Sequence, residues 1–275
     1  MSKEFPLLDI DALVAEVEDG AKVVMPPDYT GAPMATVRAL VRKGVRNLHL
    51  VGAPQFGLPA EILIGAGCVD TVETAGLGLG EFGLAPRFRD AVAQGKIHVK
   101  DATCPAVHAG LQAAEKGVPF MPVRGIIGSD LPRYRNDWMV IDSPLGDGGP
   151  ILLVQAIEPD VAIAHVPYAD RYGNAWVGLR REIMTMAHAS KRTLITFEKL
   201  YDGNLLESAE MAPGTLPSHY VTAISRQEKG CWPLGFLDWY ETDVAHMERY
   251  AEIARTEEGF ARYLDEHVLN AAEAA

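Results

Sequence analysis

Short β-branched runs alternate with amphipathic stretches as far as Val123, and most of the runs end in loops rich in Gly and Pro. That rhythm restricts the chain to a mostly parallel sheet with helices on both faces, because parallel neighbours need long crossover connections. The runs Lys22 to Met25, Asn47 to Val51, Val69 to Thr74, Ile97 to Lys100 and Pro119 to Val123 read as strands. Between them, Pro33 to about Lys43, Ala60 to Ala66, Pro86 to Gln94 and Pro105 to Lys116 read as helices, three of them opened by Pro at a first-turn position. Before them all, Asp9 or Asp11 can cap a helix running through Val17.

The second half is richer in strands, at Trp138 to Ile141, Ile151 to Val154, Val161 to His165, Ala175 to Val177 and Thr193 to Thr196. From about Thr242 the Ala- and Glu-rich tail predicts one or two surface helices. No repeat, low-complexity linker or charge block divides the 275 residues. The expectation is one three-layer α/β/α domain over residues 1–275, with a helical tail from about 242.

Charge narrows the function. Lys and Arg number 25 against 37 Asp and Glu, a net charge of −12. A surface so acidic disfavours a general grip on nucleic acid. The three cysteines, Cys68, Cys104 and Cys231, have neither disulfide-framework nor zinc-ribbon spacing, and no metal-binding motif appears. The first twenty residues carry acids throughout, unlike a secretion signal, and no apolar stretch is long enough to span a membrane. A cytoplasmic setting is the default expectation.

Four strand-to-helix loops carry the chemistry, at the edge where open α/β sheets hold ligands. The first is Met25-Pro26-Pro27-Asp28-Tyr29-Thr30-Gly31-Ala32-Pro33, where Tyr29 and Gly31 are candidate substrate contacts and backbone N–H groups suit an oxyanion. The second, Gly78-Leu79-Gly80-Glu81-Phe82-Gly83, is a literal G-x-G-x-x-G, with Asp101 near the end of the next strand. Taken alone it is a dinucleotide fingerprint. Glu81 would oppose a pyrophosphate, and Pro86 starts the helix past the last glycine, so a tight loop or a backbone-lined pocket at Gly78 and Gly80 competes with that reading.

The third loop, Asp101-Ala102-Thr103-Cys104-Pro105, offers Asp101 and Cys104 as supporting groups, with Thr103 or Asp101 as helix cap. A packing role for Cys104 is the plainer alternative. The fourth runs from Pro119 through Arg124 to Ser129-Asp130. Arg124 suits a two-point grip on a carboxylate, with a structural pair to Asp130 as the alternative. Histidines 165, 188 and 219 show no ligand spacing and read as core or surface residues.

Together these loops resemble the A (α) subunit of family I coenzyme A transferases, the group that includes glutaconate CoA-transferase. The resemblance is carried by Asp19-Gly20, Pro26 to Pro33, Leu63-Ile64-Gly65-Ala66-Gly67-Cys68, Gly80-Glu81-Phe82-Gly83, Gly117 to Arg124, Gly128-Ser129-Asp130 and Asp170-Arg171-Tyr172-Gly173-Asn174. It runs from about Leu8 to Phe197, and more weakly to about Tyr240. It implies an A–B hetero-oligomer whose nucleophile is a Glu on the B-type (β) partner, in a Ser-Glu-Asn-Gly-like motif that this chain lacks. It implies acyl-CoA and a carboxylic acid as substrates, with coenzyme A exchanged between them and no permanently bound cofactor or metal.

The family's A halves usually carry a Gly-Gly-Phe turn before G-x-P; here Pro26-Pro27-Asp28 stands in that place. A related branch, the ring-cleaving hydrolases of steroid breakdown, resembles the chain too; it carries an acidic residue just before the helix that precedes the Pro119 strand, where this chain has Asp101-Ala102-Thr103-Cys104, with Thr103 or Cys104 nearest that position and Asp101 within a few residues. A CoA-ester hydrolase is therefore the alternative to a transferase, and a non-enzymatic metabolite-binding protein or a dinucleotide enzyme the remaining one.

Overall fold

The computed structural model describes residues 5–146 and 148–270. Its strands are β1 Lys22–Met25, β2 Leu48–Gly52, β3 Val69–Thr74, β4 His98–Asp101, β5 Phe120–Val123, β6 Trp138–Asp142, β7 Pro150–Gln155, β8 Val161–Asp170, β9 Ala175–Trp176, β10 Arg192–Tyr201, β11 Thr215–Leu216 and β12 Ala223–Arg226. Its helices are α1 Ile10–Ala15, α2 Met34–Lys43, α3 Leu58–Gly65, α4 Pro86–Ala93, α5 Cys104–Glu115, α6 Leu131–Tyr134, α7 Arg181–Ala189, α8 Val244–Ile253 and α9 Glu257–Leu264.

Strands β4, β3, β2, β1, β8, β10 and β12 lie side by side in that order, every pair parallel. Beyond β1, the far half of β8 pairs antiparallel with β9, and β9 with β11. Alternate residues of one strand face opposite layers. Val23 and Met25 point into the core under α1 to α4, whereas Val24 joins the core under α5. On β8, Val161 and Ile163 face the first layer, while Ala164 and Val166 face α7. The expected three layers are therefore present, and strand ends are aligned so that loops after β1, β2, β3 and β4 share one edge.

Two features differ from the sequence reading. The Pro119 to Val123 run does not join the parallel sheet. It pairs antiparallel with β7, which pairs antiparallel with β6, in a separate three-stranded sheet. A buried ionic cluster ties that sheet to the main one: Arg135 binds Glu73 of β3 and both oxygens of Asp137, and Lys100 of β4 reaches Asp137 at 2.7 Å.

The tail is also more than a surface addition. Met247 and Tyr250 of α8 and Phe260 and Tyr263 of α9 are buried in the same core as α2 and α3. Arg42 of α2 and Arg87 of α4 donate to tail carbonyls of Val268 and Arg255. The buried positions recur at helical spacing, which gives each tail helix one apolar face.

Candidate functional site

Loops at the carboxyl edge of β1, β2 and β3 enclose a cleft of about 240 Å3. Its walls are Asp28 and Tyr29 from the first loop, Gln55 to Gly57 from the second, and Gly78 to Phe82 from the third. Of the residues singled out in the sequence, the fold thus brings Tyr29, Gly78, Gly80 and Glu81 together. Tyr29 stands at the rim, 64% exposed. Gly80 has φ +59°, a backbone that glycine adopts freely, and it opens a short turn over which Glu81 is exposed.

The other candidates lie elsewhere. Gly31 is buried below the cleft; its φ of +122° lets its carbonyl accept from the His165 N–H at 3.0 Å, and a side chain there would strike the His165 carbonyl. Its conformational freedom serves the seat of this loop on β8. Asp101 is exposed at the end of β4, its Oδ1 accepting from Ala102 N–H at 3.0 Å. Cys104 opens α5 and is exposed, with Thr103 capping that helix through Ala106 N–H. Arg124 and Ser129 are exposed on the loop after β5, where Ser129 Oγ donates to Ile126 O at 2.8 Å. Asp130 is engaged by Arg133, also at 2.8 Å.

The dinucleotide reading fails on one side chain. A pyrophosphate would need the free N–H groups at the start of α4. Those of Arg87 and Phe88 donate instead to Glu61, at 2.7 and 2.8 Å. Glu61 is wholly buried on α3 and also accepts from Tyr250 Oη. Burial pushes its carboxyl up, and the two N–H bonds draw it back in part. The anion site of α4 is filled from within the protein.

Asp28 is the group that sequence reasoning passed over. Its Oδ2 accepts from Leu58 N–H, the first residue of α3, at 3.1 Å. Its Oδ1 is shut off from solvent and has no hydrogen-bond partner among the described residues. Burial pushes the carboxyl up to about 7, and the single Leu58 bond offsets little of that. Gly57 packs so closely on this carboxyl that a side chain there would collide with it. The signal was present in the sequence as an acid set between two prolines and a Tyr-Thr-Gly turn.

Beside this cleft, His165 is fully buried with both ring nitrogens bonded, Nδ1 to Thr196 Oγ1 at 2.9 Å and Nε2 to Glu198 at 2.8 Å. Glu198 also accepts from Tyr240 Oη at 2.7 Å and from Lys229 N–H at 2.8 Å. The pair is fully satisfied and pins the segment around Lys229 and Tyr240 onto β8 and β10, the core role expected of His165.

A sequence profile of the coenzyme A transferase family matches residues 7–223. The chain belongs to that family. It is 29% identical over 265 residues to the A subunit of 3-oxoadipate CoA-transferase from Pseudomonas knackmussii, covering 94% of this chain and 91% of that one. It is 27% identical over 276 residues to a cholesterol ring-cleaving hydrolase IpdA subunit of Rhodococcus jostii, covering 96% and 92%. An uncharacterized protein of Archaeoglobus fulgidus is 32% identical over 238 residues, and this chain spans only about half of it, 52%. The crystal structure of glutaconate CoA-transferase from Acidaminococcus fermentans superposes with a TM-score of 0.88 at 22% identity, covering 96% of this chain and 89% of that one, so the fold is shared. No helix among the described residues is long and apolar enough to cross a membrane.

Proposed function

We propose that this chain is the A-type half of a heteromeric CoA transferase, contributing one wall of a site whose nucleophile sits on a B-type partner. The observation that carries this is the cleft itself. It is built from two of the loops that carry the family resemblance, and it is open at the rim where Tyr29 is 64% exposed. Among the titratable groups lining it, Asp28 is half-buried with Oδ1 shut off from solvent and Oδ2 held by Leu58 N–H, and Glu81 is exposed on a turn, so neither is set up with a base as a nucleophile. A half-site of this kind requires a second chain.

The chemistry is an exchange of acyl partners. The partner's Glu carboxylate attacks the thioester carbonyl; the C–S bond breaks, and CoA leaves as thiolate with the electron pair. The thiolate then attacks the glutamyl carbonyl of the resulting anhydride, expelling the donor's carboxylate and leaving a glutamyl-CoA thioester. An acceptor carboxylate runs the sequence backwards and the Glu is regenerated. No net proton is consumed, and two moderate steps replace one hard one.

This chain supplies the surroundings. The loops at Tyr29 and at Gly78 to Glu81 line the space beside the reacting carbonyl and offer backbone donors for the tetrahedral oxyanions. Asp28 holds the first loop to the start of α3. Arg124 and Ser129, exposed on their loop, and Asp101 and Cys104 at the head of α5 are residues for the partner or the CoA to meet. The setting is cytoplasmic, where acyl-CoA is available.

The test is CoA exchange by the chain co-expressed with its B-type partner. Transfer from an acyl-CoA to a free acid without net release of CoA supports the reading, and activity should be absent from either chain alone. A ring-cleaving or CoA-ester hydrolase, the reading that the hydrolase-named relative favours, would give a product formed with water and no dependence on an acceptor acid.

A further inference from the structure

The Pro27 to Tyr29 loop has a cavity on its other side as well, of about 380 Å3, and Tyr29 lines both. The second cavity is walled by Thr30, Pro54, His108 of α5, and Arg180 and Glu182 at the start of α7. Leu179, 93% exposed, stands at its mouth.

Arg180 differs from the molecule's structural arginines. Arg135 is locked between Glu73 and Asp137. Arg180 is partly buried, yet the one hydrogen bond of its guanidinium among the described residues runs from Nη1 to Val177 O at 2.9 Å, and the side chain forms no ion pair there. Its Nε and Nη2 are left for something else. Burial draws its affinity for the proton down, which is the sign of a cation held without a counter-charge in contact. Glu182 acts on it only from a distance, and His108 is kept neutral near pH 7 by burial.

We propose that Arg180 receives the distal carboxylate of the acyl group, so that the transferred acids are short dicarboxylic acids. The inference rests on the transferase reading above and names its substrate class. The planar fork of a guanidinium matches a carboxylate at two points. The remaining walls at Pro27, Ala53, Pro54 and Leu179 are apolar and suit the methylenes between the two ends. Glu182 on the same wall opposes a dianionic phosphate more strongly than a monoanionic carboxylate, which favours an acyl terminus over the phosphates of CoA. The reacting carbonyl would lie beside the loops of the first cleft, with the chain passing Tyr29 into the second.

The experiment uses the assembled complex with glutarate and valerate as acceptors, a pair of equal carbon number that differs in the second carboxylate. The ratio of kcat/KM for glutarate over valerate should fall roughly 10- to 100-fold in Arg180→Gln, the range of one charge-assisted hydrogen-bonded contact. Glu182→Gln should raise the same ratio, because it removes the opposing charge. Calorimetric binding of glutarate to the complex gives a second readout that needs no turnover, and Arg180→Gln should weaken it by a similar factor. Transfer that persists with an unaltered ratio overturns the proposal while leaving the transferase reading intact. A loss shared equally by both acids overturns it too, and points to CoA as the anion. If the wild-type complex transfers CoA to neither acid while exchanging it with another free acid, the dicarboxylate subsite fails alone; exchange with no free acid overturns the transferase reading, and glutarate binding that Arg180→Gln does not weaken then sinks the subsite with it.

Discussion

Glu73 and Asp28 are both buried carboxyl groups near the same sheet edge, and they are treated in opposite ways. Glu73 meets Arg135, Lys100 and His49, and these partners overcome the cost of its burial, holding it down to about 2. Asp28 meets one backbone N–H and is held up at about 7. The first arrangement joins two sheets. The second leaves an uncompensated group in the loop that lines the proposed site. Buried charge that is fully paired holds this fold together, whereas Asp28, with a single backbone partner, puts an acid that costs stability into the loop lining the proposed site.

The widest gap between the two should appear on removing them. Glu73→Gln leaves Arg135 buried with a weakened cluster, and a loss of about 3–5 kcal/mol in denaturant unfolding is expected at neutral pH. The sign with pH follows from a carboxyl whose folded value lies below its unfolded 4.5. The difference from wild type is full above about pH 4.5 and shrinks as pH falls towards 2. A difference that persists at pH 2 would remove the ionic cluster from the account.

Asp28→Asn should behave in reverse. The folded value of about 7 lies above the unfolded 3.8, so ionisation penalises the folded state as pH rises through that window. The stability of Asp28→Asn relative to wild type should be greater at pH 8 than at pH 5 by about 2–3 kcal/mol. Parallel stability curves for the two proteins would contradict an uncompensated Asp28.

Gly57→Ala sharpens the contrast on the site side. Its new methyl group collides with the Asp28 carboxyl. A cost of about 1–3 kcal/mol is expected, together with a loss of transfer activity in the assembled complex. Unchanged melting and unchanged kcat/KM would show that the loop has slack. The smallest effect is Thr103→Ala, which removes the cap of α5 beneath Cys104. Melting should register about 1 kcal/mol, with little change in activity.

Much of the parallel sheet was legible. Val69 to Thr74 falls on β3 with the same bounds, because β-branched residues and flanking Gly-rich turns mark a strand locally. The Pro119 to Val123 run was equally legible as a strand but not as a member of a second sheet, since pairing partners are set by contacts distant in sequence. The Ala and Glu content of the tail suggests a solvated surface helix. The helical spacing of Met247, Tyr250, Phe260 and Tyr263 carries the truer message.

For the site, Tyr29, Gly78, Gly80 and Glu81 could be grouped because all lie in strand-to-helix loops. Arg180 could not, because it precedes a short helix that no capping residue announces, and its isolation from counter-charges exists only in three dimensions. Glu61 in Leu58-Pro59-Ala60-Glu61-Ile62-Leu63 offered a readable hint, an acid inside an apolar helix, that some buried N–H groups must meet it.

The central claim is that this chain walls a site whose covalent chemistry takes place on its partner. Incubating the assembled complex with acyl-CoA, reducing with borohydride and locating the modification by mass spectrometry tests it directly. The account predicts a reduced glutamyl residue on the partner chain and an unmodified chain here. An adduct on Glu81 or Cys104 of this chain, or no adduct with CoA released to water, would contradict it.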